Sequence, residues 1–401
     1  MKTNTALRKA DPEQAREINT GLILGAVRKH ELVSRAELSR ILSISKMTTS
    51  VIVGDLLSKG LLVETDESTT TASKGGRPPV YLTLNSQTKF LIGVDIGTTT
   101  ISLVLGNLKG QILDRHRLPT NRSRDVESIL GQVEQLVVTL LNKASVPISK
   151  VIGIGVSVAG LVDKQRGRVK FSPDFNWKDV PFRAQLEEKI KLPVVIDNCT
   201  RVATLGEMWY GAAKGSRSLF YVNVGYGIGS AIVTDGNVYQ HTSEFGHITA
   251  TNSTVKCECG KNGCLEAVSS GRALERAANR LMTDKFGEGW ITAKDLFGMA
   301  LQGNQKAKDI FEEAGGHLGR AISTVANILS PDVIIIGGGV SRGGDLLMDP
   351  IRREFDLHTM EAIKENTTVC ISSLGMDASV IGAMTLALNT FVFHQSTFER
   401  K

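Results

Sequence analysis

The sequence is short of several things at once. Of its 401 residues only 5% are aromatic, ten are proline, seven are histidine and five are cysteine. An odd, small cysteine count argues against a disulfide framework and fits a reducing cytoplasm. No apolar run reaches the length of a membrane helix, and no apolar signal core opens the chain. A strong excess of one charge is missing too. Lys and Arg number 47 against 41 Asp and Glu, a net charge of +6. Half of that excess lies before residue 82, with twelve basic and nine acidic side chains, which is too mild to establish nucleic-acid binding. Glycine, by contrast, is plentiful at 40 residues, often clustered after apolar runs, a pattern of tight turns where backbone approaches a ligand. The 41% hydrophobic and 22% charged content is that of a soluble globular protein, and the length suggests two or three domains.

The first eighty residues read as three helices and a hairpin. Ile18, Leu22, Leu24, Ala26 and Val27 recur at helical spacing. Ser34 and Glu37 form a capping-box pattern that starts a second helix ending near Leu42. Ser45 can cap a third helix, KMTTSVIVGDLLSK, which stops at Gly60. Two short helices joined by a three-residue turn make a helix-turn-helix. The third helix would carry Lys46, Thr48, Thr49 and Ser50 toward DNA, with Arg35 nearby, and bury Met47, Val51, Ile52, Leu56 and Leu57. LLVE and VYLTL read as strands flanking a wing whose tip holds Lys74 and Arg77, suited to an adjacent minor groove.

Three glycine-rich turns follow apolar strands in the remainder. They are Asp95-Ile96-Gly97-Thr98, the Gly225-Tyr226-Gly227 turn, and Gly337-Gly338-Gly339. Any one is an ordinary tight turn, whereas three spaced roughly evenly resemble phosphate-cradling elements. A fourth element is His247, followed after nine residues by Cys257, Cys259 and Cys264. Three thiolates and one imidazole complete a tetrahedral zinc set with no open position, so one structural Zn²⁺ per chain is expected.

The order of these motifs resembles the ROK family of repressors, open reading frames and sugar kinases over about residues 90–390. The segment before it resembles the winged helix of the repressor branch that includes Mlc, NagC and XylR. The resemblance implies an α/β fold, with a winged helix-turn-helix at 1–85 and a two-lobed actin/hexokinase-like ATPase domain. Its lobes are expected at 86–200 and 201–401, with sugar held in the cleft. It also implies that Asp174, Asn198, Glu244, His247 and Glu266 meet sugar hydroxyls, and that His247 serves both metal and sugar.

The departures from the family decide the functional expectation. The kinase base, an aspartate in an Asn-Asp-Ala-Asn-like segment, is Cys199 here when the chain is aligned through Leu205-Gly206-Glu207. A thiol of pKa about 8.5 is mostly protonated at neutral pH and has no second oxygen. Asp95, Gly97 and Thr98 stand in a turn that has lost the family's second glycine and its lysine, and Tyr226 crowds the turn between Gly225 and Gly227. Gly337 and Gly338 keep the third turn. The expected function is a repressor of carbohydrate genes, binding a palindromic operator in double-stranded DNA as a homodimer or tetramer. A sugar or sugar phosphate would relieve it. The alternatives are an active sugar kinase with an accessory DNA domain, and a repressor governed by a sugar-transporter protein with a vestigial pocket. The last helix, from Asp377, is expected to pack on its own domain.

Overall fold

A computed structural model describes residues 12–65, 79–240, 243–281 and 290–393. The chain divides into two compact units, residues 1–197 with 383–401, and residues 198–382. This partition differs from the expected one. The winged helix counts with the first α/β lobe, and the end of the last helix returns to that lobe rather than staying with the second.

In the first unit, α1 (Pro12–His30), α2 (Arg35–Leu42) and α3 (Lys46–Ser58) precede a small sheet of β1 (Val33–Ser34), β2 (Leu62–Thr65) and β3 (Tyr81–Leu84), ordered β1-β3-β2. The cap chemistry is as the sequence implies. Ser34 accepts from the Glu37 amide while Glu37 accepts from the Ser34 N–H, and Ser45 accepts from the Thr48 amide. Gly60, at φ 68°, ends α3 in the left-handed region.

The inner face of α3 is not the expected one. Thr49, Ile52, Val53 and Leu56 are buried, whereas Met47 and Val51 are exposed. At 3.6 residues per turn the four buried positions form one arc, and Met47 and Val51 lie opposite. Thr49 is therefore core and cannot reach DNA. Its hydroxyl has no hydrogen-bond partner among the described residues. Replacing it with the near-isosteric valine is expected to raise stability by about 1–2 kcal/mol, read as a higher denaturation midpoint with an unchanged slope. A lower midpoint would show that the hydroxyl is satisfied in solution.

The first lobe continues with β4 (Phe90–Ile96), β5 (Thr100–Asn107), β6 (Ile112–Pro119), α4 (Val126–Lys143) and β7 (Val151–Val158). After it come a three-stranded sheet of β8 (Leu161–Asp163), β9 (Arg168–Ser172) and β10 (Trp177–Val180), then α5 (Phe182–Ile190) and β11 (Val194–Asn198). The main sheet runs β11-β7-β4-β5-β6. Central β4 and β7 are almost continuously apolar because both faces are covered, while edge strand β6 (ILDRHRLP) alternates and is largely exposed.

The second unit repeats this plan. It holds α6 (Cys199–Tyr210), β12 (Leu219–Val224), β13 (Ile228–Thr234), β14 (Asn237–Val238), α7 (Leu265–Ser269), α8 (Gly271–Leu281) and α9 (Ala293–Leu301). Then follow α10 (Gln305–Leu329), β15 (Val333–Gly337), α11 (Asp345–His358), α12 (Glu361–Lys364), β16 (Thr368–Ile371) and α13 (Ala378–Phe391). Its sheet runs β14-β13-β12-β15-β16. In each lobe an antiparallel meander is joined through its first strand to a parallel neighbour, β4 to β7 and β12 to β15. Two such repeats are the actin/hexokinase-like plan.

The end of α13 seats on the first-unit sheet through glycines. A Cβ at Gly155 would lie 1.9 Å from the Ala383 carbonyl, one at Gly106 2.0 Å from Met384, and one at Gly153 2.5 Å from the Phe391 ring. The chain then reaches α1, where a Cβ on Gly21 would come within 2.5 Å of the Phe393 carbonyl.

Candidate sensor site and metal cluster

The metal-type cluster is built by a loop and the start of a helix. His247 ends a 3-10 turn over Phe245–His247, Cys264 caps α7, and Cys257 and Cys259 lie on the loop between. Bridges between Thr249 and Cys264 and between Lys256 and Asn262 close that loop, and Gly260 and Gly263 turn with positive φ. The four ligand atoms lie within 4.8 Å of one another. His247 Nδ1 is 3.5 Å from Cys257 Sγ, and Cys259 Sγ is 3.6 Å from Cys264 Sγ. Ligands at about 2.0–2.3 Å from a tetrahedral ion stand about 3.5–3.8 Å apart. Two of the six donor pairs have that spacing, and the four donors together could hold a metal ion. Burial pushes the Cys257 thiol up to about 12 and raises Cys264, while the Lys261 backbone N–H lowers Cys259. Two buried thiols that resist ionisation are at ease as thiolates only beside a cation.

Three of the expected sugar residues gather round this cluster. His247 turns Nδ1 to the sulfurs and Nε2 toward Glu244, whose Oε2 is 3.9 Å away. Glu266 accepts the Ile228 N–H at 2.8 Å, and its other oxygen is 3.9 Å from Cys257 Sγ. Gly227 makes room for it, since a Cβ there would meet Glu266 Oε2 at 2.4 Å. Asn198 caps α6, its side-chain oxygen accepting from the amides of Thr200 and Arg201. Cys199, half-buried, is the first residue of that helix. Asp174 belongs to the first unit, where Arg124 donates to its carbonyl at 3.1 Å and to that of Thr98 at 3.0 Å. Trp177 donates its indole N–H to the Arg124 carbonyl. No local pattern announces Arg124, because its partners lie 26 and 50 residues away.

The glycine turns have reasons of their own. At the first, Gly97 donates to the Thr100 carbonyl and accepts from the Thr120 hydroxyl. At the second, Gly225 donates to Gly227, and the Tyr226 ring lies under the Arg272 guanidinium, 4.3 Å from its centroid. Arg272 is held in turn by Glu258 at 2.8 Å. At the third, a Cβ on Gly337 would strike the Tyr221 hydroxyl at 2.0 Å, and one on Gly338, at φ 86°, the Val224 carbonyl at 2.5 Å. Packing against β12 requires both glycines, whether or not a nucleotide binds.

Asp95, at the end of β4, accepts the Ser157 hydroxyl at 2.6 Å, and burial raises its carboxyl to about 6. Its unfolded value is about 3.9. Folding therefore takes up a proton between these two values, so its contribution to stability is greatest below pH 4 and is lost as pH rises through 6. Asp95→Asn, which keeps the Ser157 bond, is expected to stabilise the fold by about 1–2 kcal/mol at pH 7.5, discounted for partial exposure. The gain should shrink toward zero by pH 4 in paired thermal melts. A gain independent of pH would assign the effect to something other than the buried charge.

The helix-turn-helix residues are unevenly disposed. Lys46 and Ser50 are exposed, and Thr48 is tied to the Ser45 hydroxyl at 2.8 Å. Arg35 is paired with Glu64 at 2.7 Å. Thr49 is buried, and Lys74 and Arg77 lie outside the described residues.

Residues 91–390 match the model of the ROK family. The chain belongs to that family. Over 93% of its length this ROK protein is 33% identical to a putative xylose repressor from a Caldicellulosiruptor species, spanning 96% of that protein. A glucokinase from Halalkalibacterium halodurans is 34% identical, but over 73% of this chain and 93% of its own. Among solved structures, a ROK family transcriptional regulator, a homologue of the E. coli MLC protein, gives a TM-score of 0.82 at 24% identity. That likeness covers 95% of this ROK chain and 98% of the regulator, and it bears on the fold. A ROK glucokinase from Streptomyces griseus, solved with glucose and AMPPNP, gives 0.65 at 30% identity over 74% of this chain and 98% of its own.

Proposed function

We propose that this ROK protein is a DNA-binding repressor of carbohydrate-metabolism genes. A sugar or sugar phosphate, bound in a kinase-like domain without turnover, relieves it. The observation that carries this reading is the full-length similarity to proteins named xylose repressor, at 93% and 96% of this chain. Cys199, which the family resemblance sets where the kinases keep their base, supports it. A protonated thiol cannot accept the hydroxyl proton of a sugar at neutral pH. Asp197, two residues earlier, is buried and within 3.9 Å of Lys164.

One structural zinc ion on His247, Cys257, Cys259 and Cys264 would cross-link the loop, its only chemistry there. The chain's own residues do the recognition. His247 offers Nε2 beside Glu244, Glu266 is aimed by the Ile228 amide, and Asn198 supplies a further polar group for hydroxyls. A full switch between DNA-binding states needs a ligand preference of about 5.5 kcal/mol, within reach of several buried sugar hydrogen bonds. A homodimer or tetramer on a palindromic operator supplies the contacts that a single winged helix lacks.

The test is a mobility shift with the protein's own upstream DNA at moderate salt, over a panel of hexoses, pentoses, amino sugars and their phosphates. Binding released by one of them supports the reading, and absence of binding ends it. Binding that no sugar releases transfers control to a protein such as a sugar transporter. The similarity to glucokinases gives a second reading, sugar phosphorylation, which ADP release over the same panel decides. Robust turnover lost on mutating Cys199 or Asp197 would reverse the ranking.

A further inference from the structure

The outward face of α3 is unusually apolar for a solvated helix. Met47 is 79% and Val51 55% exposed, one turn apart. Gly54 continues the row, all three falling within an arc of about 60° at 3.6 residues per turn. Glycine is the poorest helix former after proline, yet a Cβ at Gly54 would meet nothing within 4 Å. The fold gives no reason for a glycine there. A surface that comes close to the helix backbone does.

Exposed charge at the N-terminal end of the row is basic, while Arg16, Glu13 and Glu17 of α1 lie beside it. No acid stands in the first turn of α3, and Lys46 and Arg40 are exposed at that end. Three acids nearby are engaged, Asp55 by Arg16 and Lys59, Glu37 by Ser34, and Glu64 by Arg35. A second copy docked two-fold on this row would oppose like charges, whereas a polyanion is attracted. The major groove admits a helix, and its base edges carry one apolar group, the thymine C5-methyl.

We propose that Met47 and Val51 read thymine methyl groups in the major groove, and that Gly54 lets the groove wall approach the helix. This rests on the DNA-binding reading above and names the base chemistry it recognises. Val51, stiff at its β-branch, fixes one contact, and unbranched Met47 adapts to another.

The experiment selects duplexes from a random-sequence pool with the full-length protein. The enriched duplex is then remade with each thymine in turn replaced by deoxyuridine, which removes only the methyl. At one or two positions per half-site the wild type is expected to lose about fourfold in affinity, the worth of one buried methyl. Val51→Ala or Met47→Ala should be insensitive at the matching position. Gly54→Ala should raise the melting temperature while weakening binding, a combination that general damage cannot produce. Equal binding of thymine and deoxyuridine duplexes overturns the methyl contact and leaves DNA binding standing. Failure to enrich any duplex overturns both. If Val51→Asp changes the oligomeric state and spares DNA binding, the row belongs to a second copy and the proposal is wrong.

Discussion

Cys264→Ser is expected to lower metal uptake and loosen the loop that the cluster closes. Cys264 is 1% exposed, caps α7 and bridges Thr249, so the loop depends on it at both ends. A cation that binds only the folded loop stabilises it by about 4 kcal/mol when free ion exceeds Kd a thousandfold. The loop packs few apolar residues of its own, chiefly Cys257, Cys264 and Ala267 with Val255 against them, and cannot replace that sum. Elemental analysis should find about one zinc per wild-type chain and a large loss in the variant. Chelated wild type and the variant should melt alike, below the untreated protein. Because α7 carries Glu266, both should also bind weakly any sugar that the proposed repressor recognises. An unchanged metal content, or a chelated protein that melts like the untreated one, would remove the cluster from the account.

Glu207→Ala is expected to destabilise the second unit by about 3–5 kcal/mol. Glu207 is fully buried in α6, and its two oxygens accept from the Ala212 and Leu374 amides and the Ser372 and Ser373 hydroxyls. These bonds tie α6 to the segment after β16. Removing the carboxylate leaves the donors facing a cavity, and Gly211, whose Cβ would meet Glu207 Oε2 at 2.0 Å, cannot grow to fill it. Chemical denaturation reads the loss. Glu207→Gln should recover only part, because its amide nitrogen faces donors where an acceptor is needed. A cost below about 1 kcal/mol would mean that water replaces the carboxylate at little penalty.

Several features were legible in the sequence because their physics is local. Ser34 with Glu37, Ser45 and Gly60 set the ends of α2 and α3 within one turn of chain. The apolar runs of β4, β12 and β15 mark buried strands. His247 and the three cysteines lie within eighteen residues and needed only the loop to close.

The inward face of α3 is not legible in the sequence, because periodicity fixes the width of an apolar stripe, not which of two apolar arcs meets the core. Packing turned Thr49, Ile52, Val53 and Leu56 inward and left Met47 and Val51 outside. The glycine turns resemble phosphate cradles in sequence, yet Gly227, Gly337 and Gly338 each answer to a particular neighbour, Glu266, Tyr221 and Val224. Those neighbours are distant in sequence and invisible before folding. The same holds for Arg124, for the Tyr226–Arg272 stack and for the return of α13 to the first unit. The sequence by itself determined the helix ends, the central strands and the cluster of one histidine and three cysteines, all set by residue type and short spacing. Tertiary structure decided which faces are buried, which glycines are steric necessities and where the last helix belongs, because those depend on what the folded chain brings within contact distance.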